Sequence, residues 1–145
     1  MTPEVARQLR EPFPADHMGK LPKITCGACR GSKRSPNPMK VCTDHKKKRC
    51  PECRNYITTE HMHLDYVGHA EVTARLISVD PMWSWEPMAF GDDGLPRLDA
   101  DGGLWIRLTV AGKPMIGYGD AGLKSGPDAM KERVGDAIRN SAMRF

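Results

Sequence analysis

Long apolar runs and aromatic side chains are what this 145-residue sequence has least of. Aromatic residues make up 6% of it, and no apolar stretch approaches the roughly 18 residues that a membrane-spanning helix requires. The first residues, MTPEVAR, have neither the hydrophobic stretch nor the small-residue cleavage site of a signal peptide. These absences argue against a membrane-spanning or secreted protein, and we expect a cytoplasmic one with no membrane partner.

Cysteines are also few, and they are confined to one part of the chain. All five lie between Cys26 and Cys53, whereas a disulfide framework would spread them over the sequence. In a chain without an export signal, such a local cluster is typical of metal ligands.

Acidic residues are scarce in the first part of the chain. Residues 1–63 contain 13 basic and 6 acidic residues, a formal charge of +7, whereas residues 64–145 contain 9 and 12, a formal charge of −3. A basic front half favours an anionic partner, with nucleic acid as the first candidate. The alternative, that these charges only form a solvated surface, stays open.

The composition divides the chain into three segments. Residues 1–22 predict a proline-rich arm with one short helix over 3–10, because proline at this density disfavours regular structure. Residues 23–63 have almost no aliphatic side chains, so we expect this segment to need a metal ion to fold. Residues 64–145 have the apolar periodicity of a folded core.

The core segment predicts an α+β fold. Apolar spacing indicates a helix over 69–79, strands over 83–90, 104–110 and 115–118, and a helix over 128–145 that a capping box at Ser125 begins. The expected architecture is helix, three-stranded antiparallel meander, helix, with a β-β-β-α core and a small N-terminal zinc-binding module. Because the last helix has no stop signal at Phe145, we expect the natural chain to continue.

Two Cys-x2-Cys pairs are the strongest chemical signal. Cys26 and Cys29 form the first pair, and Cys50 and Cys53 form the second, with 20 residues between the two pairs. Each pair places two thiolates on a tight turn, and two such turns complete a tetrahedron around a structural Zn²⁺.

Four further ligand candidates leave a second arrangement open. Cys42 and His45 have the same spacing, and His61 and His63 follow the second pair. Eight ligands could hold two zinc ions in a cross-braced arrangement that resembles a RING domain, although the gap between His45 and Cys50 departs from that family. The alternative for His61 and His63 is that they only open the next strand or helix.

Basic residues inside the zinc module predict phosphate contacts. Lys46, Lys47, Lys48 and Arg49 form a run that Arg30, Lys33, Arg34 and Lys40 flank. On a metal-stiffened loop these side chains would bind phosphates without reading sequence. In the core, Trp105 and Arg107 share one strand face, which is typical of single-stranded nucleic acid binding and equally of packing against another subunit.

No catalytic group is predicted. No Ser/His/Asp or paired-carboxylate constellation stands out, and the metal ligands lack the glutamate pattern of a zinc hydrolase. A GxGxxG motif over 117–122 follows a strand, but the nearby helix, second parallel strand and acidic residue of a dinucleotide site are missing. We therefore expect neither an enzyme nor a nucleotide-binding protein.

Four stretches of the second half resemble one family. They are KERVGDAIRNSAMRF (131–145), GYG (117–119), YVGH (66–69) and VDPMWSWEP (79–87). Together they are similar to phage single-strand DNA annealing proteins, the Sak-type relatives of the eukaryotic Rad-fifty-two recombination mediator. The resemblance covers residues 64–145.

The resemblance implies a function and a set of DNA-binding residues. Members of the family assemble into rings, hold single-stranded DNA in a basic groove and pair complementary strands without ATP during homologous recombination and repair. Arg139 and Lys131 match basic positions of the family helix, and we expect Arg133 and Arg144 to compensate for family basic residues that this helix lacks. The chain would then be a phage or prophage protein of the host cytoplasm, with a single-strand-binding or recombination protein as a further partner.

A function of a different class stays open. The zinc module could be an adaptor that recruits a replication or recombination protein, as its cross-brace-like ligand count suggests. Deletion of residues 1–63 distinguishes the two hypotheses, because an adaptor would lose its protein partner and keep its DNA binding.

Overall fold

The computed structural model describes residues 1–32, 42–122 and 124–145. These residues form a mixed helix-and-sheet structure with four α-helices and three antiparallel sheets, so the mixed class predicted from the sequence is confirmed. The chain folds into two compact units. Unit 1 comprises Met1–Phe13 and Gly68–Phe145, and unit 2 comprises Pro14–Val67.

The elements follow one another along the chain in this order: α1 (Pro3–Arg10), a 3-10 turn (Ala15–His17), β1 (Met18–Ile24), α2 (Gly27–Ser32), β2 (Lys47–Arg49), β3 (Tyr56–Thr58), β4 (His61–Val67), α3 (His69–Val79), β5 (Ser84–Pro87), β6 (Leu104–Val110), β7 (Lys113–Gly119) and α4 (Gly126–Ala142). Strand β1 pairs with β4, β2 pairs with β3, and β6 lies between β5 and β7. Over the described ranges, no helix has both the length and the apolar character needed to cross a membrane.

Strand β6 builds the core of unit 1. Alternate residues from Leu104 to Val110 are fully buried, because alternate side chains of a strand face the same side. Leu76 of α3 and Ala137 and Ile138 of α4 are buried in the same unit. Full burial of an aliphatic side chain of this size contributes about 1.5–3 kcal/mol, so unit 1 has an apolar core of its own.

Two glycines of β7 allow α4 to approach the sheet closely. A Cβ atom built at Gly117 would lie 1.8 Å from the Ser141 hydroxyl oxygen. One built at Gly119 would lie 2.1 Å from the carbonyl oxygen of Arg133 and 2.4 Å from the amide nitrogen of Ala137. No side chain fits at such distances, so the close packing of α4 on β7 requires both glycines of the GYG motif.

The carboxylate of Asp136 fastens α4 to the end of β7. It accepts hydrogen bonds from the Arg139 guanidinium, from Asn140 Nδ2 at 3.2 Å and from the amide of Asp120 at 3.3 Å. Asn140 Nδ2 also donates to the carbonyl of Tyr118 at 2.8 Å. The DAIRN portion of the terminal-helix motif therefore positions the helix on the sheet.

The first 22 residues are divided between the two units instead of forming a separate arm. Helix α1 has the predicted bounds, and Arg75 of α3 donates to the carbonyls of Gln8 and Glu11 and lies over the ring of Phe13 at 4.0 Å. The residues after it form β1, which contains Pro22. Proline is compatible with this strand because, among the described strands, β1 pairs with β4 alone, so its other edge needs no N–H donor.

Unit 2 is longer than the predicted module of residues 23–63. Its β1–β4 ladder pairs Met18 with Val67 at one end and Ile24 with His61 at the other. The buried side chains among its described residues are Cys29, Cys50, Ile57 and Thr58. A set this small provides hardly any apolar core, which agrees with the expectation that this segment depends on a metal ion.

The start of α4 differs from the prediction. The helix begins at Gly126, and the hydroxyl of its N-cap residue Ser125 makes no capping hydrogen bond. The Asp128 carboxylate lies 3.5 Å from the Lys131 ammonium group. The predicted capping box is therefore wrong, because its hydroxyl does not bind the first turn.

Candidate metal centres

Eight Cys and His side chains form two clusters within unit 2. Centre 1 comprises Cys26, Cys29, Cys42 and His45, and centre 2 comprises Cys50, Cys53, His61 and His63. In each cluster the four ligand atoms lie within 4.8 Å of one another. Both clusters are therefore positioned to bind a metal ion.

Centre 1 is assembled where β1 ends and α2 begins. Cys26 directly precedes α2, and Cys29 lies on that helix. His45 Nδ1 is 3.6 Å from Cys29 Sγ and also 3.6 Å from Cys42 Sγ. His45 therefore presents Nδ1 to the centre.

Centre 2 is held between β2 and β4. Cys50 directly follows β2, and β4 carries His61 and His63 on one face because they are two residues apart. His63 Nε2 is 3.4 Å from Cys50 Sγ, and His61 Nε2 is 3.9 Å from Cys53 Sγ. Both histidines therefore present Nε2.

These separations fit a tetrahedral ion. With metal–sulfur distances of about 2.3 Å and metal–nitrogen distances of about 2.0–2.1 Å, a tetrahedral zinc centre separates its sulfur and nitrogen ligands by about 3.5 Å. The four sulfur–nitrogen distances measured here run from 3.4 to 3.9 Å. These distances are those expected of a tetrahedral site, and the four ligand atoms of each cluster lie close enough together to hold a metal ion.

Backbone amides lower the pKa of one thiol in each Cys-x2-Cys pair. The amide of Cys29 donates to the Cys26 sulfur and lowers the pKa of that thiol to about 7. The amide of Cys53 does the same for Cys50, whose pKa falls to about 6. Since the thiolate is the form that binds metal, both turns favour the binding form near neutral pH.

The second nitrogens of the centre 2 histidines also have partners. His61 Nδ1 lies 2.5 Å from the carbonyl oxygen of Thr58, and His63 Nδ1 lies 3.0 Å from a carboxylate oxygen of Glu52. A metal-binding histidine typically donates its other N–H to a carbonyl or carboxylate, which fixes the ring orientation. Both histidines have this arrangement.

Comparisons of the chain with protein-family models, curated proteins and solved structures find no match. The function must therefore be inferred from the geometry of the two units.

The grouping differs from both arrangements considered from the sequence. Instead of one cluster of four cysteines, each Cys-x2-Cys pair joins the Cys/His or His/His pair that follows it. The ligand pairs are consecutive along the chain, whereas a cross-brace interleaves them. Local folding explains the outcome, since the turns at Cys26 and Cys50 are each completed by residues that return within the next 20 positions.

The predicted basic run lies on the β2–β3 hairpin. Lys47, Lys48 and Arg49 form β2, and these three side chains and that of Lys46 are exposed. None of the four forms an ion pair with another described residue. Of the flanking residues, Arg30 donates to the carbonyl of Ile24 at 3.0 Å; Lys33, Arg34 and Lys40 lie outside the described residues.

Most of the basic residues predicted on the core have partners there. Arg107 pairs with Glu86 at 2.9 Å, Lys131 with Asp128 at 3.5 Å and Arg139 with Asp136, while Arg133 Nε donates to the carbonyl of Gly102 at 2.7 Å. Arg144 is exposed and forms no ion pair with another described residue. The structure therefore leaves the hairpin cations freer than those of α4 and β6.

Trp105 lies on the sheet face opposite the core. Its ring is 5.0 Å from that of Tyr118, and its Nε1 donates to Asp99 at 2.9 Å. A cavity of about 590 Å³ opens beside it, with Arg97 and Met88 in its wall. These contacts are compatible with a nucleic acid and with another subunit, so both interpretations of this face stay open.

Three residues near the centres were not predicted from the sequence. Tyr56, 73% exposed, lies directly opposite Arg49 on the hairpin, and an aromatic residue shortly after a basic run was the signal for it. Glu52 lies inside the second Cys-x2-Cys turn, a position that makes it a natural histidine partner. Thr58, whose carbonyl oxygen contacts His61, had no signal in the sequence.

Proposed function

We propose that the protein binds single-stranded DNA through the β2–β3 hairpin of unit 2 and promotes annealing of complementary strands without ATP. The observation that carries the proposal is the exposed pair of Arg49 and Tyr56 next to exposed lysines that form no ion pair with another described residue. Cations that contact phosphates and an aromatic ring on which a base stacks are the two elements of sequence-independent single-strand binding.

The hairpin geometry places these elements side by side. Directly opposite residues of an antiparallel pair project from the same face, so Arg49 and Tyr56 are neighbours. The next residues of β3, Ile57 and Thr58, are buried. One end of the hairpin is therefore anchored in unit 2 while Tyr56 remains in solvent.

Metal binding would hold this surface in place. Cys50 directly follows Arg49, and the turn from Cys50 to Cys53 leads back into Tyr56. The two strands of the hairpin thus leave from the two ends of one Cys-x2-Cys turn. An ion in centre 2 would fix their separation and with it the spacing of the cation and the ring.

Zinc is the ion that we propose for both centres. Centre 1 offers three thiolates and one imidazole, and centre 2 offers two of each. Sulfur and nitrogen donors in a closed tetrahedral set favour structural zinc over the hard cations, which prefer oxygen. All four positions are filled by protein ligands, so the proposed role of zinc is structural.

The annealing part of the proposal rests on the family resemblance of residues 64–145. In unit 1, the order β5, β6, β7, α4 supports a β-β-β-α annealing core, and the GYG and DAIRN motifs lie where α4 meets β7. On this proposal the protein acts in the host cytoplasm as a ring of copies during phage or prophage recombination. It needs no catalytic residue, because annealing requires only sequence-independent contacts that leave base edges free.

A binding assay tests the DNA proposal. We expect Tyr56→Ala to weaken binding of fluorescent oligo-dT by at least about fivefold, since base stacking is worth about 1–3 kcal/mol, and Tyr56→Phe to bind like the unsubstituted chain. Arg49→Ala should reduce the salt slope by about 0.7. Lys113→Ala, which removes an exposed lysine of β7 that the proposal does not use, is the matched control and should change neither quantity. Metal content is measured on every variant to show that unit 2 is intact.

The results show whether the hairpin or the family helix contacts DNA. If Tyr56→Ala and Arg49→Ala bind as the unsubstituted chain does while Lys131→Ala or Arg144→Ala weakens binding, the family helix is the contact and the hairpin proposal is wrong. If neither the unsubstituted chain nor any variant binds oligo-dT, the annealing function is wrong. It is also wrong if two complementary oligonucleotides anneal no faster with the protein than without it across a salt series.

A protein-recruiting adaptor is the second candidate, and one observation favours it. Leu21, Met62 and Leu64 lie on one face of the β1–β4 ladder and are 38–51% exposed. Apolar side chains grouped on an exposed sheet face are typical of a protein contact. On this hypothesis Leu21→Ser with Leu64→Ser would abolish binding of a recombination or replication partner and leave oligo-dT binding unchanged.

A further inference from the structure

Thr58 contacts both metal centres. Its hydroxyl oxygen is 3.2 Å from Cys29 Sγ of centre 1, and its carbonyl oxygen is 2.5 Å from His61 Nδ1 of centre 2. We propose that Thr58 couples the two centres, so that binding of one ion raises the affinity of the other. The inference rests on the proposed metal binding and goes beyond it, because two four-ligand sites need no such link.

The hydroxyl of Thr58 is positioned to donate a hydrogen bond to the Cys29 sulfur of centre 1. It already accepts a hydrogen bond from the amide of Glu60 at 3.3 Å, which leaves its proton for the Cys29 sulfur. A metal-bound thiolate has no proton of its own, so in the loaded centre the hydroxyl is the donor. Thr58 is 2% exposed, and water does not compete for this contact.

The carbonyl of Thr58 fixes the histidine of centre 2. By accepting from His61 Nδ1 it selects the tautomer in which Nε2 is unprotonated and available to the ion. Movement of Thr58 toward or away from one centre therefore changes a ligand partner of the other.

The backbone around Thr58 makes the link rigid. The amide of Thr59 donates to the carbonyl of Lys46 at 3.1 Å, and the amide of Thr25 donates to the carbonyl of Glu60 at 3.0 Å. Thr25 precedes the first ligand of centre 1, and Glu60 precedes His61. Residues 58–61 therefore contact both centres. Once one bound ion has ordered this segment, the second ion binds at a lower cost in conformational entropy.

Cobalt titration of the full chain tests the coupling. Sulfur-to-cobalt charge-transfer absorption distinguishes a centre with three thiolates from one with two, so the filling of each can be followed. We expect both signals to rise together in the unsubstituted chain. With centre 2 disabled by Cys53→Ser, centre 1 should bind cobalt about 10- to 100-fold more weakly, the usual range for loss of outer-shell support.

Two substitutions of Thr58 assign the effect to its hydroxyl. Thr58→Val keeps the side-chain shape and removes the hydroxyl, so Cys53→Ser should then lower the centre 1 affinity by a smaller factor than it does with Thr58 present. Thr58→Ser keeps the hydroxyl and should restore the larger factor.

The failures are distinguishable. If the chain binds two cobalt ions whose affinities do not depend on each other, the coupling is wrong and the metal proposal stands. If Thr58→Val and the unsubstituted chain show the same factor, Thr58 is not the link. If no cobalt is bound, the metal proposal is itself overturned, and the coupling with it.

Discussion

The contact between β7 and α4 provides a sharp test of the fold, and Gly119→Ala is the substitution that addresses it. A Cβ at this position would lie 2.1 Å from the carbonyl oxygen of Arg133 and 2.4 Å from the amide nitrogen of Ala137. Both are backbone atoms of α4 and cannot rotate away. The helix would have to move from the sheet by about 1 Å to reach a normal carbon–oxygen separation.

The expected loss of stability follows from that displacement. A gap of 0.5–1 Å forfeits about a quarter to a half of each dispersion contact, and α4 contributes Ala137 and Ile138 to the core. Overpacking usually costs about 1–3 kcal/mol, and a clash with two backbone atoms places Gly119→Ala at the upper end, about 3 kcal/mol.

Urea unfolding, monitored by tryptophan fluorescence, measures this loss of stability in unit 1, because all three tryptophans lie within Gly68–Phe145. Gly68→Ala is the matched control: its φ is −68° and a Cβ there meets no atom within 4 Å, so we expect a change below about 1 kcal/mol. If Gly119→Ala changes the free energy of unfolding no more than Gly68→Ala does, the close approach of β7 and α4 is not real.

Two further predictions concern pH and metal. Asp99 accepts hydrogen bonds from the amide of Gly103, from Trp105 Nε1 and from the amide of Asp101, and these bonds hold the pKa of its carboxyl below the ordinary value. The ionised Asp99 carboxylate therefore stabilises unit 1 above about pH 4, and this stabilisation is lost as the pH falls through the lower pKa of the folded state. The fall of the urea midpoint between pH 7 and pH 3 should be smaller in Asp99→Asn, and an unchanged fall would contradict this role. Excess chelator should abolish amide-exchange protection in unit 2 and leave the tryptophan-monitored transition of unit 1 unchanged, and persistent protection of β2 and β3 without metal would contradict the proposed dependence.

Periodicity predicted α3 and β6 of unit 1 with the bounds that the structure has, whereas the strand predicted over 83–90 is Ser84–Pro87 and the helix predicted over 128–145 is Gly126–Ala142. The 2-residue alternation from Leu104 to Val110 and the helical spacing over 69–79 each describe a local pattern whose buried face is the same in the folded chain. The capping box at Ser125 failed because Gly126, the first residue of the helix, has a left-handed φ of 65°, a backbone conformation that the motif does not encode.

Unit 2 was harder to predict because the spacing of the ligands does not determine which ligand pairs meet. The ligand types were identified from spacing, whereas their division into two consecutive centres depends on which turns return to each other. Likewise, Pro22 argued against a strand, and it takes the pairing of β1 with β4 to show that its missing N–H lies on the edge away from β4. Neither fact is encoded in a local pattern.

The contrast between the two units connects the metal centres with the proposed DNA contact. Unit 1 buries aliphatic side chains from β6, α3 and α4, whereas Ile57 is the aliphatic side chain buried among the described residues of unit 2. A unit with so little apolar burial cannot offset the conformational entropy of its chain without another source of free energy, and metal binding is one large enough. On the proposal made here, the spacing of Arg49 and Tyr56 therefore exists only while centre 2 is loaded. Loss of metal should then weaken DNA binding at least as much as loss of the tyrosine does, although no ligand of either centre is proposed to contact DNA.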